Sequence, residues 1–271
     1  MCGRFVIARS IDDFLVDVGA VPAARLRDLD LRTRRENWNV APTEEVPIVL
    51  ERVAGDDDAV PGTVLREVHV ARWGLIPGWA KEASIGARAF NARSETVMDK
   101  PMFRSAVRHR RCAVPANGYY EWKKRLGPNG QPVKATKDTP AKQPYYIHPA
   151  DPGETIWFAG LYEWWRDPQE TWILSCSILT TRSPSPESEV SVLADLGRLH
   201  DRLPIALTRE SMDDWLDPGS ESRDDAAALV DRLRSEAEQV PRTWQLDPVG
   251  AAVGNVRNND PGLIEPVQAL F

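Results

Sequence analysis

The chain is poor in cysteine and histidine, the residues from which metal centres, disulfide frameworks and many nucleophile–base pairs are made. It has three cysteines, Cys2, Cys112 and Cys176, in 271 residues. An odd set of three is too small for a disulfide scaffold. Cys112 and Cys176 lie in the apolar runs RRCAVPA and WILSCSILTT, which read as buried strands. The four histidines, His69, His109, His148 and His200, share no ligand spacing, so no metal and no cofactor are expected. GxGxxG, GxxxxGK[ST], CxxC and HExxH are all absent, which removes the common nucleotide, redox and zinc-peptidase signatures. No uncharged apolar run is long enough for a membrane span. The start CGRFVIARSIDDF has no apolar central stretch like that of a signal peptide, so a cytoplasmic location is expected, at the nucleoid if the cell is bacterial.

What remains is an ordinary globular composition, 42% hydrophobic and 27% charged, with enough chain to bury a substantial core. Tryptophan is over-used, 10 against 6 Phe and 5 Tyr, which suits ring or base stacking as well as packing. The net charge of -6 argues against a nucleic-acid partner unless the cations cluster. Two clusters exist, Arg32–Arg35 and Arg104–Arg111, while acids gather at Asp56–Asp58 and near the late helix. A basic face and a set of solvated helix faces are both open readings.

Cys2 is the most chemically distinctive residue. Removal of Met1 leaves one residue carrying a free α-amine and a thiol, whose reference pKa values are about 7.7–8.0 and about 8.5. Both nucleophiles are usable near neutral pH. Together they can condense with an aldehyde, first as a Schiff base and then as a five-membered thiazolidine. An internal cysteine cannot do this, because its nitrogen is an amide.

Local patterns predict an α+β fold, with no linker long enough to divide residues 1–271 into two domains. Ser10 and Asp13 form a capping box opening a short helix. Strands are predicted at 46–50, 64–73, 112–115, 118–123, 145–147, 156–165, 172–181 and 202–207, and a helix over 102–110. The stretches 51–63 and 125–143 read as exposed insertions. Ala226, Leu229, Val230, Leu233 and Ala237 recur at helical spacing and predict a helix over 224–240 that covers a sheet edge.

Six segments place polar residues in apolar or Gly/Pro-shaped surroundings: CGRF, WNVAPT, RWGLIP, FNARSET, CAVPANGYYEW and LHDRLP. In this order, across positions 2–204, they resemble the SRAP family, the SOS response-associated peptidases that shield abasic sites in DNA. The resemblance implies a single domain built on a mostly antiparallel, barrel-like sheet with flanking helices. It also implies that Cys2 bonds the sugar aldehyde and that Asn91 holds both Cys2 and the opened sugar. It implies that Glu121 moves protons in Schiff-base formation and reversal, and that His200 assists ring opening. Arg4, Asn39, Trp73, Arg93, Trp122, Thr180 and Arg202 are the implied contacts to single-stranded DNA containing an abasic site. Self-removal of Met1 and a weak lyase activity are implied as well. Two rivals use the same residues differently: a cysteine hydrolase with an N-terminal nucleophile, acting on peptide or amide bonds, and a non-enzymatic binder of single-stranded DNA in which Cys2 is idle.

Overall fold

The structure, a computed structural model, describes residues 2–23, 36–127, 129–136, 140–219 and 222–270. Met1 and the Arg32–Arg35 run lie outside the described residues. Among the described residues the strands follow in chain order: β1 Phe5–Ile7, β2 Val21–Pro22, β3 Asn37–Val40, β4 Glu45–Val53, β5 Val64–Trp73, β6 Asn91–Arg93 and β7 Arg111–Ala116, then β8 Gly118–Lys124, β9 Lys142–Pro149, β10 Ile156–Arg166, β11 Trp172–Arg182, β12 Arg202–Pro204 and β13 Trp244–Pro248.

The long strands close on themselves. β11, β10, β7, β4 and β5 pair antiparallel in that order. β5 then returns to β11 in parallel, with Ser175 opposite Arg72 and Cys176 opposite Trp73. Closure leaves no free edge among these five strands. Their side chains alternate with period two. One set, including Ile48, Leu50, Cys112, Val114, Phe158, Cys176 and Ile178, joins a single buried cluster. The other set, including Val49, Ala113, Trp157, Ala159 and Leu179, joins a second cluster with the helices outside. Both sides are buried, which is why these strands read as near-continuous apolar runs. Cys112 and Cys176 are buried, as expected, and burial pushes both thiols up.

A second sheet, ordered β13-β9-β8-β1-β3, carries the amino terminus. Tyr119 and Ile147 turn toward the barrel cluster. Tyr120, Tyr146 and Val6 turn the other way, beneath Val249, Val253 and Leu263 of the carboxyl-terminal segment.

The helix Ile11–Val18 has the predicted capping box: Ser10 Oγ accepts from Asp13 N at 3.2 Å, and Asp13 Oδ2 accepts from Ser10 N at 3.0 Å. The helix predicted over 102–110 is a single turn, Ala106–His109. The late helix spans Arg223–Glu236. It packs chiefly on the helices Ala106–His109 and Arg209–Leu216 rather than on a sheet edge, so that expectation is corrected. The β4–β5 pairing continues to Val53 and Val64, narrowing the 51–63 loop to 54–63. No helix of the described residues is long and apolar enough to cross a membrane.

Candidate active site and nucleic-acid interface

Cys2 is 1% exposed. It precedes β1, which is held between β3 and β8. The Cys2 carbonyl accepts a hydrogen bond from Asn91 Nδ2 at 2.7 Å, and the Cys2 thiol donates to the carbonyl of Arg4 at 3.9 Å. Burial, with the Glu121 charge second, pushes the Cys2 thiol well above its usual range. Asn91 arrives on β6, which lies parallel to β11 with Asn91 opposite Ile178. Its Oδ1 is buried without a hydrogen-bond partner, an unspent acceptor beside the Cys2 backbone. Glu121 is buried on β8, where its Oε1 accepts from Trp122 N at 3.2 Å. Cys2, Asn91 and Glu121 are therefore brought together. Tyr119, on the same face of β8 as Glu121, adds a buried ring whose hydroxyl is pushed up by burial, then by Cys2 and Glu121.

His200 ends the helix Ser191–Leu199, which sequence reading missed because Val190 gives it no side-chain cap. Its Nδ1 accepts from Arg202 N at 2.9 Å. That bond uses the Nδ1 lone pair, so the neutral ring carries its hydrogen on Nε2. Asp201 Oδ1 also lies 3.0 Å from Nδ1, a contact that is a hydrogen bond only in the tautomer with its hydrogen on Nδ1. His200 reaches the Asn91 segment through Arg202, whose guanidinium grips Glu95 with bonds of 2.8 and 2.9 Å.

Several of the implied DNA contacts are engaged within the chain itself. Trp73 is fully buried. It packs edge-on between Phe5 and Phe90, with centroids at 4.7 and 5.5 Å, and its Nε1 donates to Phe90 O at 2.9 Å. It supports β1 from below and presents no face to a base. Thr180 is buried in β11, its Oγ1 donating to Ala92 O at 3.4 Å. Arg202 is committed to Glu95 and to Thr180 O at 2.7 Å, leaving no fork for a phosphate. Asn39 is buried, and Arg4 Nη1 is spent on Asn39 Oδ1 and Val253 O, both at 3.0 Å. Trp122 packs with Val6, Tyr120 and Tyr146 on the face of β8 opposite Glu121. In the Arg104–Arg111 run, Arg111 is buried under backbone carbonyls of Trp215 and Asp217, and Arg110 pairs with Glu163.

Arg93 is different. It is exposed and lines a groove of about 1040 Å³ together with Asn91. Lys81, Arg88 and Lys100 add three more exposed cations, against Glu82 as the one lining carboxylate. Trp79, 60% exposed, and Phe103 supply apolar faces. This groove is a basic patch on an acidic chain. Its wall is pinned by Gly74 N donating to Cys176 O at 2.8 Å, Ile76 N to Ser175 Oγ at 2.9 Å and Trp165 Nε1 to Ala80 O at 2.8 Å. Gly74 has φ +136°, and a Cβ there would lie 2.6 Å from Gly86 O, so the two glycines let the wall segments touch. Sequence reading missed Trp79, Lys81, Arg88, Lys100 and Phe103. The signal available was Trp79 itself, a large aromatic within the polar turn PGWAKE. Among the described residues, no group of three or more His, Cys, Asp or Glu is placed to hold a metal.

Comparison with known proteins agrees with this architecture. The abasic site processing protein YoqW of Bacillus subtilis (strain 168) is 29% identical over 265 residues, covering 98% of this chain and 99% of that protein. YobE of the same organism, also an abasic site processing protein, is 30% identical over 230 residues, covering 85% and 88%. The abasic site processing protein HMCES of Rattus norvegicus is 28% identical over 262 residues, covering 86% of this chain and 66% of that protein. The crystal structure of a protein from Bacteroides thetaiotaomicron superposes with a TM-score of 0.69 at 24% identity, covering 98% of this chain and all of that one, and shares the fold. The family model for SOS response associated peptidase (SRAP) matches residues 1–256, and the chain belongs to that family.

Proposed function

We propose that the protein senses and shields abasic sites in single-stranded DNA by forming a covalent crosslink through Cys2 after Met1 is removed. The observation that carries this reading is the 2.7 Å bond from Asn91 Nδ2 to the Cys2 carbonyl, with Asn91 also lining the basic groove. The nucleophile is thereby tied to the residue that meets the DNA.

The chemistry balances without an oxidant or a cofactor. Hydrolysis of the Met1–Cys2 amide frees the α-amine, a self-processing step in keeping with a peptidase family. The amine adds to the aldehyde carbon of the opened deoxyribose, and loss of water gives a Schiff base. The thiol then adds to the imine carbon while its proton passes to nitrogen, closing the thiazolidine. Burial and Glu121 keep the thiol protonated, so the amine adds first and sulfur second. Glu121 is the proton carrier for carbinolamine dehydration, and His200, through Nε2, serves the sugar oxygen during ring opening. The buried Asn91 Oδ1 accepts from the new amine or a sugar hydroxyl. β-Elimination from the Schiff base would cleave the strand, and ring closure competes with it. Arg93, Lys81, Arg88 and Lys100 meet phosphates, and Trp79 stacks on a neighbouring base. The lesion has no base to read, so sequence preference is weak. Action on DNA supports a cytoplasmic location, at the nucleoid in a bacterium.

A hydrolase using the same Cys2 nucleophile would leave no stable adduct on DNA. The test uses full-length protein with its mature amino terminus verified by mass, mixed with a single-stranded oligonucleotide carrying one abasic site. A heat-stable shifted band on a denaturing gel is expected, with none from lesion-free DNA or from Cys2→Ala. No band while the lesion is intact overturns crosslinking. The same stable band from Cys2→Ala overturns the thiazolidine.

A further inference from the structure

Arg4 and Asn39 belong to two of the most distinctive sequence segments, yet neither lines the groove. Asn39 is 1% exposed. Its Nδ2 lies 3.0 Å from Asn255 O, 3.0 Å from Asn258 O and 3.3 Å from Val253 O. An amide NH2 has two hydrogens, so three carbonyls converging on it mean that the chain is wrapped around this side chain. Asn259 completes the wrap: its Oδ1 accepts from Trp38 N at 2.7 Å and its Nδ2 donates to Glu36 O at 3.4 Å. Beneath it, Val249, Val253 and Leu263 pack on Val6, Tyr120 and Tyr146.

The wrap leads directly to the nucleophile. Arg4 Nη1 bonds Asn39 Oδ1 and Val253 O. The carbonyl of the same residue receives Tyr120 N at 2.9 Å and the Cys2 thiol at 3.9 Å. β1 is only three residues long, and a chain terminus frays unless it is tied down. A misplacement of 1 Å can cost a reaction about a hundredfold. We infer that Arg4 and Asn39 are positioning residues that clasp the carboxyl-terminal segment Val249–Ile264 across β1 and so hold Cys2 against Asn91. The inference rests on the crosslinking reading for its consequence, but its geometry can be tested without DNA.

Full-length Arg4→Met and Asn39→Ala are compared with wild type in three measurements. These are crosslinking rate at saturating lesion DNA, affinity and salt dependence on lesion-free single-stranded DNA, and alkylation of Cys2 by iodoacetamide without DNA, read on the amino-terminal peptide. The expected result is a rate lower by about tenfold or more, unchanged affinity and salt slope, and Cys2 alkylation faster by about tenfold as the thiol is uncovered. Arg4→Lys returns one cationic donor to the same two acceptors and should recover both rate and protection. Wild-type rate and alkylation in both variants overturn the clasp. So does an Arg4→Met that keeps its saturated rate while the salt slope drops by about one, the mark of a phosphate contact. If these variants fail to fold, Asn259→Ala, at an exposed position, loses only the Trp38 and Glu36 bonds. A smaller rise in Cys2 alkylation supports the clasp, and no rise overturns it. If wild type itself does not crosslink, the functional reading falls, and alkylation still decides the clasp.

Discussion

Cys2 is tied to two regions built on opposite physical terms, through Asn91 to one and through Arg4 to the other. One is the groove, where Lys81, Arg88, Arg93 and Lys100 are exposed and Trp79 shows an open face. The other is the clasp, where Arg4 Nη1 and the Asn39 amide are spent on other parts of the chain. The groove leaves its charge and aromatic surface available to a ligand. The clasp uses the same kinds of group to fix backbone. The difference teaches that an arginine, asparagine or tryptophan in a distinctive segment can serve either purpose, and that only its partners decide which.

The sharpest way to break the comparison is a pair of tryptophans six residues apart. Trp73→Ala empties a fully buried site and is expected to cost about 3–5 kcal/mol of stability, read as a lower denaturation midpoint. Trp79→Ala should leave stability within about 0.5 kcal/mol and weaken single-stranded DNA binding by about 1–3 kcal/mol, read by fluorescence anisotropy. Equal stability losses would erase the distinction between buried support and exposed platform.

A smaller effect is expected at the pair joining the His200 and Asn91 segments. The Arg202 side chain is 8% exposed and its partner Glu95 24%. Removing the arginine as Arg202→Met should cost about 2–3 kcal/mol, somewhat less than a fully buried pair. Burial works to raise the Glu95 carboxyl, but the hydrogen bonds from Arg202 outweigh it and hold the group below its usual range. The folded state therefore binds its proton at lower pH than the unfolded state. The stabilisation is full above the unfolded value of about 4.3 and is lost as pH falls through the folded value. Wild type should lose stability over that acid window, and Arg202→Met should show a flatter limb in denaturant titrations at stepped pH. An unchanged limb would remove this pair from the acid response.

The smallest effect belongs to a single groove cation. Arg93→Gln should lower the salt slope of DNA affinity by about one, with folding untouched. A loss of stability instead would mean that Arg93 belongs with the clasp arginines.

Much of this was legible in the sequence where the determinant is local. The Ser10–Asp13 box starts its helix because both partners lie within one turn. β5 matches its predicted limits because Val64–Trp73 is rich in apolar and β-branched residues and follows a polar, turn-rich stretch. The motif order from CGRF to LHDRLP identified the family and placed Asn91 and Glu121 beside Cys2. Shorter pieces escaped: β1, β3 and β6 have three or four residues each, too few for a period to show. The carboxyl-terminal segment looked nondescript because its grip comes from backbone carbonyls, which have no letter in a sequence.

By itself, the sequence singled out Cys2 as the candidate nucleophile and determined the strand-rich architecture and the residue types available for the site. Tertiary structure decided how those residues are used. The parallel β5–β11 seam joins positions about a hundred residues apart, and it buries Trp73 while leaving Trp79 at the groove. Arg202 meets Glu95, and Arg4 meets Val253, only because distant strands are laid side by side. Helix caps and strand alternation depend on neighbours a few residues away, so they can be read along the chain. The partner of a long polar or aromatic side chain is set by whichever segment crosses it.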